Sequence, residues 1–176
     1  RAMENAEAVP PAALATSHTT LKLRKRAIPA EALRRAEAIL AETPADDTVG
    51  TSEDLARGAP TVLRWFAQEA VTFARNEAGT VVDFPVMALR LGADTALVTL
   101  PGEPFTEIGM AIRKASPFPR TLVVSNANGY AGYIVPDDLA AHGGYEPLPV
   151  AEGGADAGSA KDLETAALKA LRDLAR

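Results

Sequence analysis

The chain lacks cysteine, has only two histidines and one tryptophan, and contains no apolar run close to the roughly 20 residues a bilayer-spanning helix needs. Without cysteine there are no disulfides and no thiolate metal sites, and the redox compartment is left open. A basic surplus is also missing. The 18 Lys and Arg residues against 23 Asp and Glu leave a formal net charge of -5, which gives no reason to expect nucleic acid as a partner. The one local basic run, Lys22, Arg24, Lys25 and Arg26, reads as a solvated strand end in preference to an anion or membrane-surface patch. Two catalytic signatures are absent as well. There is no Gly-x-Ser-x-Gly nucleophile turn, and Gly129-Tyr-Ala-Gly132 lacks the Gly-Lys-Ser/Thr ending of a phosphate loop. No charged-then-apolar signal peptide opens the chain. It begins Arg1-Ala-Met-Glu without an initiator methionine and is expected to be a piece of a longer protein.

What is present is enough chain, 176 residues, for one domain with a sizeable core. Residues 1–15, rich in Ala, Pro and Glu, read as a linker leading into the fold that occupies 16–176. Thr16 to Arg26 alternates around Leu21 and Leu23 as a strand does. Pro29 then opens a helix to Ala41 with Leu33, Ala36, Ile39 and Leu40 on one stripe. The stretch 43–59 is loop with at most a short helical turn. Pro60 starts a second helix, on which Val62, Trp65, Phe66, Ala70 and Phe73 are expected to face the core.

From Gly79 the period changes from helix to strand. Thr80 to Leu91 and Thr95 to Leu100 form a hairpin about Gly92-Ala-Asp94, with Pro85 marking a bulge or an edge. Phe105 to Ala115 repeats apolar residues every three or four positions, and Arg120 to Ser125 is a β-branched run of the kind buried on both faces of a sheet. The expected fold class is therefore α/β. It is a mixed sheet with a βαβ unit (strand 95–100, helix 105–115, strand 120–126) and flanking helices. A glycine- and alanine-rich segment, 151–159, reads as flexible, and Lys161 to Leu174 as a terminal helix with Leu163, Ala167, Leu171 and Leu174 inward.

A right-handed parallel crossover has a chemical consequence. Its two strands end on one side of the sheet, so Glu103 and the cluster from Asn126 to Tyr133 emerge at a common edge. Glu103 sits between Gly102, which lets the backbone turn sharply, and Pro104, which limits it. It can act there as a metal ligand, as a general base, or as a carboxylate at a helix N-terminus. The cluster Asn126-Ala-Asn128-Gly129-Tyr130-Ala131-Gly132-Tyr133 supplies phenol oxygens beside glycines that permit close backbone approach; it also fits an ordinary glycine-rich turn. Tyr145, after two glycines, can donate a hydrogen bond to a developing oxyanion or serve as an ordinary surface tyrosine. His142 is a candidate ligand or proton shuttle without a second histidine at ligand spacing.

The ordered set Leu100-Pro-Gly-Glu103, Asn128-Gly-Tyr-Ala-Gly-Tyr133 and Gly144-Tyr145-Glu146 resembles the neutral/alkaline ceramidase family, zinc amidases that hydrolyse N-acyl sphingosines. That family carries Pro-Gly-Glu-Phe, then Asn-x-Tyr-x-x-Tyr after a strand, then a Tyr-Glu pair. The resemblance covers roughly residues 80–175 and implies that Glu103 and Tyr133 are zinc ligands. It implies that Tyr145 stabilises the tetrahedral oxyanion, and that Asn128 and Tyr130 support the substrate or the loop. Pro104 departs from the first motif, and Gly129, Ala131 and Gly132 replace bulkier residues in the second. These departures bear on the acyl-sphingosine substrate more than on the metal.

The family's two zinc histidines lie in an N-terminal half, and His18 and His142 match neither. The chain accordingly resembles the C-terminal part of a catalytic domain. It is expected to be inactive alone and to meet its missing N-terminal half, or a partner chain, together with an amide lipid substrate. If that half is separate, an exposed apolar patch should mark where it packs. The family resemblance further suggests a secreted or periplasmic setting. The competing expectation is a non-catalytic α/β module that binds a partner chain through the same edge.

Overall fold

The structure, a computed structural model, describes residues 14–45, 50–148 and 154–176. The expected linker 1–15 lies almost wholly outside them. The chain divides into two compact units. The first comprises the described residues up to Leu21, Asp83–Tyr130 and Ala160–Arg176; the second comprises Lys22–Val82 and Ala131–Ser159. Among the described residues no helix is long and apolar enough to cross a membrane.

The first unit is built on a mixed four-stranded sheet in the order β1-β2-β3-β5, formed by β1 (Ala15–Arg24), β2 (Val81–Arg90), β3 (Thr95–Thr99) and β5 (Arg120–Val124). The hairpin is antiparallel, pairing Leu89 with Leu97, and β3 and β5 are parallel, pairing Leu97 with Leu122. Between β3 and β5 come a two-residue strand, β4 (Glu103–Pro104), and helix α4 (Thr106–Ala115). The expected βαβ unit is thus present. Pro85 lies in an interior strand, so the edge reading fails. Two residues on, the Met87 amide donates to the Thr99 hydroxyl at 3.0 Å.

Strand alternation sends Val86 and Ala88 of β2, and Ala96 and Val98 of β3, to a fully covered face. Val123 shares that face and meets α4 at Gly109. Ile108 and Ile112 of α4 and Leu163, Ala167 and Leu171 of the last helix, α6 (Ser159–Leu174), are completely buried, as their spacing predicts. β5 is not buried on both faces. Leu122 is 52% and Val124 39% exposed, because β5 closes the sheet and only its Val123 side carries a helix.

The second unit packs α1 (Ala30–Glu42) against α3 (Pro60–Asn76), with Ala36, Ala67 and Val71 at the centre and Leu33, Ile39 and Leu40 around them. Arg64 donates to the carbonyls of Leu40 and Thr43, so one guanidinium satisfies two groups at the end of α1. A five-residue helix, α2 (Ser52–Ala56), lies between them, opened by a reciprocal Thr51/Asp54 capping box. Trp65 is not a core residue: it is 51% exposed. The buried stripe runs through Ala67 and Val71, and two residues at about 100° each place Trp65 about 200° away from Ala67.

Two further expectations change here. Lys25 is buried and pairs with Glu77 at 3.3 Å, and Arg26 donates to the carbonyls of Ala155 and Pro147, so half the basic run is spent inside the fold. Burial lowers the Arg26 pKa, and the charge of Asp156 opposes that shift. The segment read as flexible is anchored over Gly154 to Asp156. Arg26 donates its amide to Gly154, Asp156 donates to Arg24, and Ala155 bridges Lys25. Gly154 is required there, since a Cβ would lie 2.9 Å from the Phe73 ring. Residues 151–153 of that segment lie outside the described residues. The unit is completed by a short strand, β6 (Tyr133–Ile134), and one turn of helix, α5 (Asp137–Ala140).

Candidate functional site

In the first unit, the polypeptide leaves β3 through buried Leu100 and Pro101 and turns at Gly102 with φ +61°. It leaves β5 through Asn126 and Asn128, whose φ values of +52° and +65° lie in the left-handed region. Asparagine tolerates that region better than most residues, which is a local reason for the asparagines in this cluster. The two exits are joined by backbone hydrogen bonds: Asn126 donates to Gly102 at 2.7 Å, Gly102 to Gly129 at 3.1 Å, and Ala127 to Leu100 at 3.0 Å. Gly129, at φ +137°, lies so close to Phe84 that a Cβ would meet the ring at 2.9 Å.

This zipped pair of loops places a carboxylate against a phenol. The Tyr130 hydroxyl donates to Oε1 of Glu103 at 3.0 Å across 27 residues of sequence. Glu103 is half-buried and lies three residues before the start of α4, whose first turn carries a different acid, Glu107. Asn128 donates its side-chain amide to the Thr99 hydroxyl at 2.7 Å, the same hydroxyl that accepts from the Met87 amide. Thr99 thereby ties the loop after β5 to the end of β3 and to β2. It was not among the candidate residues. The available signal was its position, a hydroxyl at the end of the strand that feeds Leu100-Pro-Gly-Glu103.

In the second unit, Tyr133 and Tyr145 come together. Their ring centroids are 6.0 Å apart at 77°, and Tyr145 makes a like contact with Phe66, also at 6.0 Å and 77°. Phe66 in turn meets Trp65 edge-on at 4.9 Å. Four of the chain's aromatic side chains therefore form one run of edge-to-face contacts, a geometry favoured by the ring quadrupoles. Tyr145 is 47% exposed and follows Gly143 and Gly144, both at positive φ. Nothing in the spacing of Trp65 and Phe66 pointed to Tyr145, because helix and loop are separated by about half the chain.

The histidines stay apart from these groupings. The Nδ1 atom of His142 lies 2.8 Å from the Asp138 carbonyl on the exposed turn after α5, and His18 is an exposed residue of β1. Among the described residues, no three of His, Cys, Asp or Glu cluster as a metal site would require.

A helix-backed mixed sheet whose parallel pair ends in a Pro-Gly-Glu turn and an Asn-Gly-Tyr loop has a ceramidase-like fold. The neutral ceramidase of Pseudomonas aeruginosa superposes with a TM-score of 0.51 at 17% sequence identity, over 93% of this chain. The chain spans 29% of that protein's length. No protein-family model and no curated protein sequence matches the chain.

Proposed function

We propose that this chain contributes Glu103, Tyr133 and Tyr145 to a zinc-dependent, ceramidase-like amide hydrolase acting on an N-acyl amide lipid. On this reading polypeptide outside the sequence supplies the two histidine ligands. The observation that carries the proposal is the position of Glu103. In a fold shared with a ceramidase, its carboxylate stands at the C-terminal edge of a parallel strand pair, oriented by a phenol. Ligand sites in α/β proteins gather at that edge.

The donors present fit part of a zinc site. A carboxylate oxygen and a phenol oxygen are both competent ligands, but two of them cannot close a tetrahedral shell. Glu103 and Tyr133 would hold the metal, which when bound supplies a water acidic enough to ionise near neutral pH. Tyr130 would fix the Glu103 carboxylate through the hydrogen bond to Oε1, the usual duty of a group behind a metal ligand. Tyr145 would donate from its phenol to the substrate carbonyl oxygen as negative charge develops there. That bond strengthens along the reaction and so lowers the barrier. The half-exposed rings of Trp65 and Phe66 beside Tyr145 would offer apolar surface to an acyl chain.

The test is metal analysis of the complete gene product alongside Glu103→Ala and Tyr133→Phe. Bound zinc that falls sharply in both variants supports the proposal. Unchanged metal content in both would overturn it and favour the partner-binding module. Tyr145→Phe should keep its zinc and lose about 10²- to 10³-fold in amide hydrolysis.

A further inference from the structure

The sequence of β5 is that of a strand covered on both sides, and among the described residues only one side is covered. On the uncovered side, register sets Leu89 of β2, Leu97 of β3 and Leu122 of β5 in one row across three strands. Beside this row Thr99 pairs with Val124, and Met87 is joined to Thr99 through its hydroxyl. Met87 and Val124 are 40% and 39% exposed. By contrast, on β1 the exposed alternate positions Thr16, His18, Thr20, Lys22 and Arg24 are polar or ionisable. Leu89 and Leu97 are half-buried between the exposed Met87 and the exposed Leu122 and Val124, and a continuous row of apolar side chains next to a polar strand has the composition of an interface rather than of a solvated sheet face.

We infer that this face, Met87, Leu89, Leu97, Leu122 and Val124, is covered by a second polypeptide layer belonging to the same catalytic domain. The length relation favours that occupant: this fold is found as 29% of a ceramidase chain, so there it is accompanied by more than twice its own length of further polypeptide. The position of the face favours it too. Thr99 lies on it and holds Asn128, whose loop continues to the Tyr130 that bonds Glu103. A layer seated on these strands arrives beside the Glu103 carboxylate, where the remaining ligands are needed. The inference therefore rests on the proposed function for its purpose, though not for its geometry.

The absence of cysteine gives a clean test. Single cysteines are introduced as Leu122→Cys and Val124→Cys, with Thr20→Cys as a control on the polar strand, and their rates of reaction with a maleimide are measured. The 176-residue chain is compared with the complete translation product of its reading frame. The expected result is that both interface cysteines react at least about tenfold more slowly in the complete product, as buried groups that need local opening do, while Cys at position 20 is unchanged. Equal rates in the two proteins overturn the inference, as does a complete product no longer than this chain. Protection that develops in the 176-residue chain with rising concentration, or only on adding neutral phospholipid vesicles, overturns it in favour of a second copy or a lipid surface. Zinc content measured on the same samples separates the two claims. Protection without zinc leaves the covering layer standing and removes the hydrolase reading; zinc with unprotected cysteines does the reverse.

Discussion

The two units hold their chemically able residues by different means. In the first, Glu103, Tyr130, Asn128 and Thr99 are fixed by directed hydrogen bonds between two loop exits, at backbone angles few residues adopt. In the second, Tyr145 is located by ring contacts with Phe66 and Tyr133, in an array that ends at an exposed tryptophan. Hydrogen-bonded placement is specific to an atom and fails when that atom is removed. Ring packing is specific to shape, tolerates loss of a hydroxyl, and leaves the phenol available for other work. A carboxylate that must be aimed and a phenol that must reach a substrate call for these two kinds of support.

The comparison can be broken first at the core. Phe73 is fully buried in the second unit and packs on Gly154. Phe73→Ala should cost about 3–5 kcal/mol. If the units are energetically distinct, chemical denaturation should show the second melting ahead of the first; one coincident transition at lower denaturant would mean they unfold together. Next is Gly129→Ala, which forces a Cβ onto Phe84 at φ +137° and should cost about 1–3 kcal/mol. Hydrogen exchange should then rise at Gly102 and Asn126, whose amides belong to the same zipper.

A finer contrast comes from removing one hydroxyl in each unit. Tyr130→Phe deletes the bond to Glu103 and should lower stability by about 0.5–1.5 kcal/mol. Tyr145→Phe keeps both ring contacts and should change stability by less than about 0.5 kcal/mol. Equal losses in urea titrations would erase the distinction between the two modes of support.

The smallest effect is local and depends on pH. The Thr51 amide and hydroxyl, with Arg57, hold the Asp54 carboxyl down to about 2 from 3.8. A depressed carboxyl stabilises the folded form above its unfolded pKa, and that contribution is lost as pH falls from about 4 through about 2. An NMR titration should therefore show α2 fraying in that window while the ring array in the same unit stays unshifted.

Much of the architecture could be read from periodicity because the local signals agree with the packing. The hairpin, the crossover helix with Ile108 and Ile112, and the final helix with Leu163, Ala167 and Leu171 are examples. The meeting of Glu103 with the Asn128–Tyr130 loop followed from one topological rule, that parallel strands end on the same side. The departures from local pattern share a physical cause. Residue type puts Trp65 inside, composition does the same for β5, and charge puts Lys25 and Arg26 outside, although burial depends on what another segment brings. A lysine can be buried when Glu77 is in reach, and an arginine when carbonyls of Pro147 and Ala155 face it. Such partners lie tens of residues away, and no local pattern announces them. Thr99 gives no local signal for a related reason: its value lies in its bonds with Asn128 and Met87.

Arg26 has one more consequence. Its guanidinium grips the carbonyls of Pro147 and Ala155, which flank the stretch 148–154 on either side. One side chain therefore staples both stems of that stretch, whatever its length. Arg26 is thus a two-point tie: its removal frees Pro147 and Ala155 together, so the two ends are held or lost as one.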